Sequence, residues 1–431
     1  MIKKIKQRTY RLLRWSEKYA KTDMVYLAHG GFWLTLGQII SSASSFLLAI
    51  AFANLLPKEI YGTYKYILSV CSILTIPTLS GMNTAIVQAV ARGYEGSFIQ
   101  TLKIKIRWGM LGGLASLILA GYYYFQGNTT LTISFLVSTV FLPFMDSFAI
   151  YDSLLQGRKL FGISTKYGIF SQIIAIASLV ATLFLTKNLF LILLAYFIPW
   201  TLVRFIFFKL TLKKFPPNPQ QDPKTISYGK HLSLIGIIGT VAAYLDRILI
   251  FHYLGAAEVA IYLIAIAPIE QIKGLFKNIP TLVLPKLAQR SFEEINSVLY
   301  RRLLQLFLIG GGIALIYILI APYFFKIFFP KYISSINFSQ LYALAIILLS
   351  PISFLSGIGQ AKLTLMPKSY LYQANLSSQI LLIIMLLFLT PAFGIIGVVG
   401  SRLTYLAFTI IINLFFFRKI IKFYALDKTQ K

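Results

Sequence analysis

Apolar residues run in long stretches along this chain, separated at short intervals by residues that make turns. A helix that crosses a bilayer needs about 20 mostly apolar residues. Twelve stretches meet that length: 26–54, 62–90, 106–126, 130–155, 165–186, 188–212, 229–254, 260–288, 303–321, 338–358, 371–390 and 394–417. The breaks between them carry turn chemistry, at Leu56-Pro57-Lys58, Gly127-Asn128, Lys187-Asn188, Leu254-Gly255 and Pro391-Ala392-Phe393-Gly394. The pattern predicts an all-α polytopic membrane protein with twelve transmembrane helices.

Composition agrees and narrows the class. Charged residues make up 13% of the 431-residue chain, hydrophobic residues 57%, and the mean hydropathy is +0.75. Soluble domains carry roughly 25% charged residues, so a soluble enzyme, a disordered tail protein and a disulfide scaffold are excluded. The lone Cys71 cannot form an internal disulfide, a structural zinc site or a redox pair. His29, His231 and His252 are scattered and give no support to metal catalysis.

Net charge is +28, and its placement decides its meaning. Of the 41 Lys and Arg, 31 fall at the N-terminus, in the loops after even-numbered spans and in the C-terminal tail, and 5 in the loops of the other side, Lys65 among them. This positive-inside asymmetry predicts that both termini are cytoplasmic. The basic balance is therefore topology and attraction to anionic membrane lipids, with no nucleic acid as partner. Residues 1–22, with Lys3, Lys4, Lys6, Arg8, Arg11, Arg14, Lys18 and Lys21 among Ile5, Leu12, Leu13 and Trp15, read as a basic amphipathic segment on the inner membrane surface. The first apolar run is too long for the core of a cleaved signal peptide.

The segment Pro216-Pro217-Asn218-Pro219-Gln220-Gln221-Asp222-Pro223 has no apolar side chain beyond its prolines and reads as a flexible or extended tether. It divides the chain into a cytoplasmic segment 1–25, a six-helix bundle 26–215, a linker 216–225, and a second bundle with a basic tail, 226–431. Leu56-Pro57-x-x-x-Tyr61-Gly62-x-Tyr64 is echoed by Leu254-Gly255-x-x-x-Val259-Ala260-x-Tyr262 at an offset of 198 residues. Both halves enter the membrane from the cytoplasm, so the repeat is parallel. Two six-helix bundles around a central cleft is a transporter plan.

Several motifs now resemble those of the bacterial oligosaccharidyl-lipid flippases, the polysaccharide-transporter branch of the multidrug/oligosaccharidyl-lipid/polysaccharide exporter superfamily. They are Asp246-Arg247-Ile248-Leu249-Ile250 with Leu254-Gly255 and Ile261-Tyr262, Leu155-Gln156-Gly157-Arg158, and Asn278-Ile279-Pro280 to Leu284-Pro285-Lys286-Leu287. Phe328-Phe329-Pro330-Lys331-Tyr332 and Gly394-Ile395-Ile396-Gly397 complete the set, in order along nearly the whole chain. The resemblance implies export of an undecaprenyl-pyrophosphate-linked oligosaccharide repeat unit to the outer leaflet of a bacterial cytoplasmic membrane for surface polysaccharide such as O-antigen. It also implies a polysaccharide polymerase as a partner. Twelve spans fit that branch better than the fourteen expected of lipid II flippases.

A charge at mid-membrane costs roughly 2.5–3.5 kcal/mol on insertion scales and persists mainly where it faces a cavity or a partner. Arg204, Arg247, Lys273, Lys277, Arg402, Asp146, Asp246 and Glu270 lie inside predicted spans. The five cations are candidates to meet the pyrophosphate; the sharpest are Lys273 and Lys277, which share a helical stripe with Glu270. Asp246 and Arg402, both about two turns from the outer end, are equally readable as a helix-to-helix ion pair, and Arg204 as a snorkelling side chain. Asp146 follows Pro143 and Glu270 follows Pro268, and a carboxylate beside a freed backbone carbonyl can hold a coupling proton or sodium ion; Asp246 is a third candidate. No other cofactor is indicated. A multidrug or lipid II exporter of the same superfamily is the competing reading. A membrane polymerase or ligase is the distant one, since it wants a long external loop that the sequence lacks.

Overall fold

The computed structural model describes residues 24–276, 280, 287, 289–362 and 368–429. The basic segment 1–22, Lys277 and most of the motif at 278–287 lie outside the described residues. Regular structure among the described residues is entirely helical. The first half holds α1 (Met24–Leu55), α2 (Lys58–Leu74), α3 (Gly81–Ala91), α4 (Ser97–Phe125), α5 (Thr129–Met145), α6 (Tyr151–Gly157), α7 (Phe161–Leu185) and α8 (Leu189–Lys214). The second holds α9 (Lys224–Leu254), α10 (Ala256–Phe276), α11 (Phe292–Phe328), α12 (Ser335–Tyr342), α13 (Leu344–Ala361) and α14 (Lys368–Thr429). Nine helical stretches of the described residues are long and apolar enough to cross a membrane, ten if the bent pair α2–α3 counts as one span.

Turn residues end the helices where expected. Asn128 and Asn188 cap α5 and α8, accepting from the N–H of Leu131 at 3.0 Å and of Phe190 at 2.9 Å. Gly394, at φ +56° and ψ −136°, divides α14 in a backbone conformation that side chains resist.

Two predicted spans are broken helices. The stretch 62–90 divides into α2 and α3, bent by 42° across a 3₁₀ turn at Ile76–Thr78, because Pro77 has no N–H to continue the ladder. The stretch 130–155 divides at Asp146, just after Pro143, into α5, a 3₁₀ turn at Phe148–Ile150, and α6. A third departure concerns α4. It starts at Ser97, more than two turns before the predicted 106, so Lys105 lies within the helix.

In the first half α4 packs on α5, α5 on α8, α7 on α8 and on α1, and α3 on α6. In the second, α9 packs on α14, α11 on α13, α13 on α14, and α10 on α12. The halves meet where α2 and α3 run against α9 and α10. At the end of this seam far from the linker the approach is close: a Cβ on Gly62 would lie 1.7 Å from the carbonyl oxygen of Ala256, so only glycine fits. Nearby, Tyr66 stacks on Phe251 with ring centroids 3.8 Å apart, and Asn54 donates to the carbonyl of Phe328 at 2.9 Å while its own carbonyl accepts from Lys331 at 2.6 Å. Large apolar side chains such as Leu185, Phe125, Phe388, Leu308 and Leu319 are exposed, as expected of faces turned to lipid.

The linker is not a free tether. Glu95 accepts two hydrogen bonds from Arg158, at 2.6 and 2.5 Å, and one from the N–H of Asn218 at 2.9 Å. Arg158 also donates to the carbonyl of Pro216, and Asn218 to the carbonyl of Gly93. The N–H groups of Gly96 and Asp222 complete the strap on Gln220 and Ser97, and Arg92 pairs with Asp222 at 2.5 Å. With four prolines fixing φ and polar side chains meeting loop 92–97, the segment is held to the first half.

Candidate functional site: ion pairs at helix breaks and two cavities

The two broken helices of the first half meet, and charge collects there. Asp146, the residue after α5, receives the ammonium of Lys105 at 3.2 Å, and Thr78 lies with its hydroxyl 3.0 Å from the same carboxylate oxygen. Lys105 has no exposed surface and also donates to the side-chain carbonyl of Asn83 at 3.0 Å. A cavity of about 630 Å³ opens beside this cluster, lined by Asn83, Asp146, Asp152, Gln156, Gln172 and Arg204 among others. Arg204 does not snorkel away: it donates to the freed carbonyl of Met145 at 3.0 Å and lies over the Trp200 ring. Asp152 accepts from Gln156 at 2.7 Å and from Ser164. A second cavity, about 410 Å³, lies between the halves, walled by Ser72, Thr75 and Thr78 on one side and by Gly239, Thr240 and Tyr244 on the other. Asp146 borders both cavities.

The second half contains two more pairs. Asp246, fully buried, accepts from Arg402 at 3.0 and 2.5 Å, from the Tyr262 hydroxyl at 2.5 Å, and from the N–H of Arg247 at 2.8 Å. This is the helix-to-helix pair anticipated from the equal depth of the two residues. Glu270 accepts from Lys273 at 3.2 Å, one turn away on α10, and from the Tyr342 hydroxyl at 2.8 Å. The Lys273 side chain is 44% exposed, so its hold on Glu270 is loose. Lys277 lies outside the described residues.

Each carboxylate proposed for coupling thus already has a basic partner. Two cations on the helices of the seam, Lys65 and Arg247, form no ion pair among the described residues. Lys65, on α2, sits over the rings of Phe52, Tyr61 and Tyr64 at 5.6–6.0 Å, a geometry in which the ring faces attract a cation. Arg247, on α9, lies over Tyr244 at 5.2 Å, and its Nε is buried without a hydrogen-bond partner. The helices that carry them, α2 and α9, pack against one another. Lys65 and Lys105 were missed by sequence reasoning, which assigned both to loops. The signal for Lys105 was present: Lys103 and Arg107 share a helical face that Lys105, about 200° from each, opposes.

Among the described residues no group of three His, Cys, Asp or Glu side chains could hold a metal ion. The arrangement places polar cavities, carboxylates held by bases or hydrogen bonds, and cations without ion pairs inside an apolar shell.

Comparison with known proteins agrees. An uncharacterized membrane protein of Methanocaldococcus jannaschii is 22% identical over 92% of this chain and 85% of its own length. The fold is that of the lipid II flippase MurJ in an inward closed conformation, with a TM-score of 0.66 at 15% identity, over 91% of this chain and 90% of that one. It is likewise that of an inward-facing multidrug resistance MATE transporter of the MOP superfamily, with a TM-score of 0.56 at 13% identity, over 93% and 100% of the two chains. The model of a family described as polysaccharide biosynthesis proteins matches residues 27–291. The chain is a multi-pass membrane protein of the flippase and transporter fold, and it belongs to the polysaccharide biosynthesis protein family.

Proposed function

We propose that this protein moves a polyprenyl-pyrophosphate-linked oligosaccharide from the cytoplasmic to the outer leaflet of the cell membrane by alternating access, with twelve spans, two six-helix bundles and both termini in the cytoplasm. The observation that carries the reading is the sign of the unpaired interior charge. Asp146, Asp246 and Glu270 are offset by Lys105, Arg402 and Lys273, and Asp152 shares the larger cavity with Arg204, which leaves Lys65 and Arg247, on the packed helices α2 and α9, without a carboxylate. A drug cation would be repelled there, whereas a pyrophosphate would relieve the repulsion of the two cations and bond the orphaned Nε of Arg247. Lys273, with its partly exposed side chain, and Lys277 receive the anion earlier on the path; Arg402 stays with Asp246. The hydroxyls and amides of the larger cavity, Asn83, Gln156 and Gln172 with Arg204 beside them, suit the sugar hydroxyls of the cargo.

The test is outward transfer of a lipid-linked oligosaccharide in a strain lacking its own flippase. Lys65→Gln with Arg247→Gln should abolish transfer while the protein still accumulates in the membrane, and Lys65→Arg should retain much of it. Normal transfer by the accumulated double variant would overturn the assignment. Drug efflux in place of lipid transfer would favour the multidrug reading.

A further inference from the structure

The cluster around Asp146 is built like a site for a small cation, yet a side chain occupies its centre. Its ligating atoms are a carboxylate oxygen of Asp146, the amide oxygen of Asn83 and the hydroxyl oxygen of Thr78. All are hard oxygens, the donor type that alkali and alkaline-earth ions take. They come from three separate elements: the start of α3, the 3₁₀ turn between α2 and α3, and the break after α5. Broken helices in membranes are where coupling ions sit, since the breaks leave polar backbone and side-chain groups without helical partners. Asp146 also borders both cavities, which gives an ion a way in.

The group at the centre is the ammonium of Lys105, delivered from α4 at 3.0 Å from Asn83 and 3.2 Å from Asp146, with no exposed surface. The other two pairs differ. Arg402 grips Asp246 through two nitrogens, with Tyr262 on the same carboxylate oxygen, and Lys273 meets Glu270 from one turn along the same helix, half in the open. Only at Asp146 does a single point charge from another helix rest among neutral oxygens at a chain break. Arg204 from α8 is the other charge acting on Asp146, and it is committed to the carbonyl of Met145; Asp152 lies farther along the cavity wall and is bonded to Gln156 and Ser164.

We propose that Lys105 is a tethered cation that fills a monovalent-cation site made by Asp146, Asn83 and Thr78, so that the wild-type protein binds no sodium there and a variant without the lysine does. An ammonium and a sodium ion carry the same single charge, and removal of the covalent one leaves a buried carboxylate in search of another. The inference concerns how this transporter would be energised, but its test uses no cargo, so its failure is separate from any failure of the flippase reading.

The experiment is thermal unfolding of purified full-length protein in sodium chloride and in choline chloride at equal ionic strength. Wild type should melt at the same temperature in both. Lys105→Met keeps the bulk of the stem, and it should gain a sodium-specific rise of a few degrees that saturates with concentration, as expected when a ligand binds only the folded state. Asp146→Asn added to that variant should erase the rise. Lys105→Gln, whose amide can still bond Asp146, serves if the methionine variant does not accumulate, and it should show the same sodium response. Equal melting of either folded variant in the two salts overturns the proposal. If neither accumulates, the wild type decides: a sodium-specific stabilisation that Asp146→Asn removes means that the ion already enters, and overturns it, whereas its absence supports the tethered cation.

Discussion

Replacing Arg402 by methionine isolates the strongest electrostatic contact of the second half. Asp246 has no exposed surface and accepts four hydrogen bonds, two of them from Arg402. Two magnitudes compete. An ordinary hydrogen bond between membrane helices averages about 0.6 kcal/mol and reaches roughly 1.7. Breaking a buried ion pair from one side costs about 3–5 kcal/mol, because the remaining charge stays buried without its partner. A carboxylate left alone escapes part of that by taking up a proton, which caps the cost. Arg402→Met should therefore destabilise by about 3–5 kcal/mol, whereas Tyr262→Phe, which removes one hydrogen bond, should cost about 0.6–1.7 kcal/mol. Asp246→Leu combined with Arg402→Met removes both charges and should recover most of the loss, to within about 1 kcal/mol of wild type. Reversible unfolding in mixed micelles of increasing denaturing-detergent content measures all four proteins. If Arg402→Met unfolds within about 0.5 kcal/mol of wild type, or if the double variant is worse than either single one, the pair is hydrated and the argument from burial fails.

Two further outcomes follow from the linker and the topology. Hydrogen bonds from Arg158 hold the Glu95 carboxyl below the usual carboxylate range, and the N–H of Lys224 leads in doing the same for Asp222. A depressed folded-state value stabilises the strap above the unfolded-state value, about 4.3 for Glu. That contribution is lost as pH falls through the folded value. Protease cleavage at 216–223 should accordingly rise steeply in acid, and Glu95→Gln should be cleaved readily already at neutral pH; a pH-independent cleavage rate in wild type would count against the strap. For topology, Gln221→Cys should label only from the cytoplasm and Asn128→Cys only from outside, and labelling of both from one side would refute the orientation.

The sequence made the helices legible because bilayer thickness sets their length and Asn, Gly and Pro end them, as Asn128, Asn188 and Gly394 do here. It made the Asp246–Arg402 pair legible because equal depth brings opposite charges together across a helix contact. Hydropathy hid the interruptions. Pro77 and Pro143 break helices without lowering the apolar average, so each bent segment reads as one continuous span, although Pro143 beside Asp146 already points to a freed backbone carbonyl. The same averaging concealed Lys65 and Lys105, since a lysine near the end of an apolar run lies at an ambiguous boundary. Burial is settled by which face a helix presents, and for Lys105 that face holds Thr101 and Gly109, packed inside the first half. The linker was misjudged for a different reason. Composition reports stiffness of an isolated segment, not whether Glu95 and Arg158 await it.

The strap has a mechanical consequence that can be tested on its own. Loop 92–97 and Arg158 of the first half hold residues 216–220, while Asp222 bonds Ser97 and Arg92 on one side and the N–H of Lys224 and the hydroxyl of Thr225, at the start of α9, on the other. The second half begins at Lys224, directly after Asp222 and Pro223. No free length of tether is left between the halves, so under the proposed rocking motion the second half pivots about Asp222 at the start of α9. Rotation about that point moves the linker end little and the far end most. Under the proposed function, the far-end seam, where Gly62 meets Ala256 and Tyr66 stacks on Phe251, is the contact expected to part when cargo leaves. A disulfide between Ser97→Cys and Asp222→Cys, whose parent residues touch at 3.0 Å, should leave transport largely intact. One between Tyr66→Cys and Phe251→Cys should stop it, with activity returning on reduction. Loss of transport in the first variant, restored by reductant, would place the moving joint inside the strap; normal transport with the second bond fully formed would show that the far end stays closed throughout the cycle.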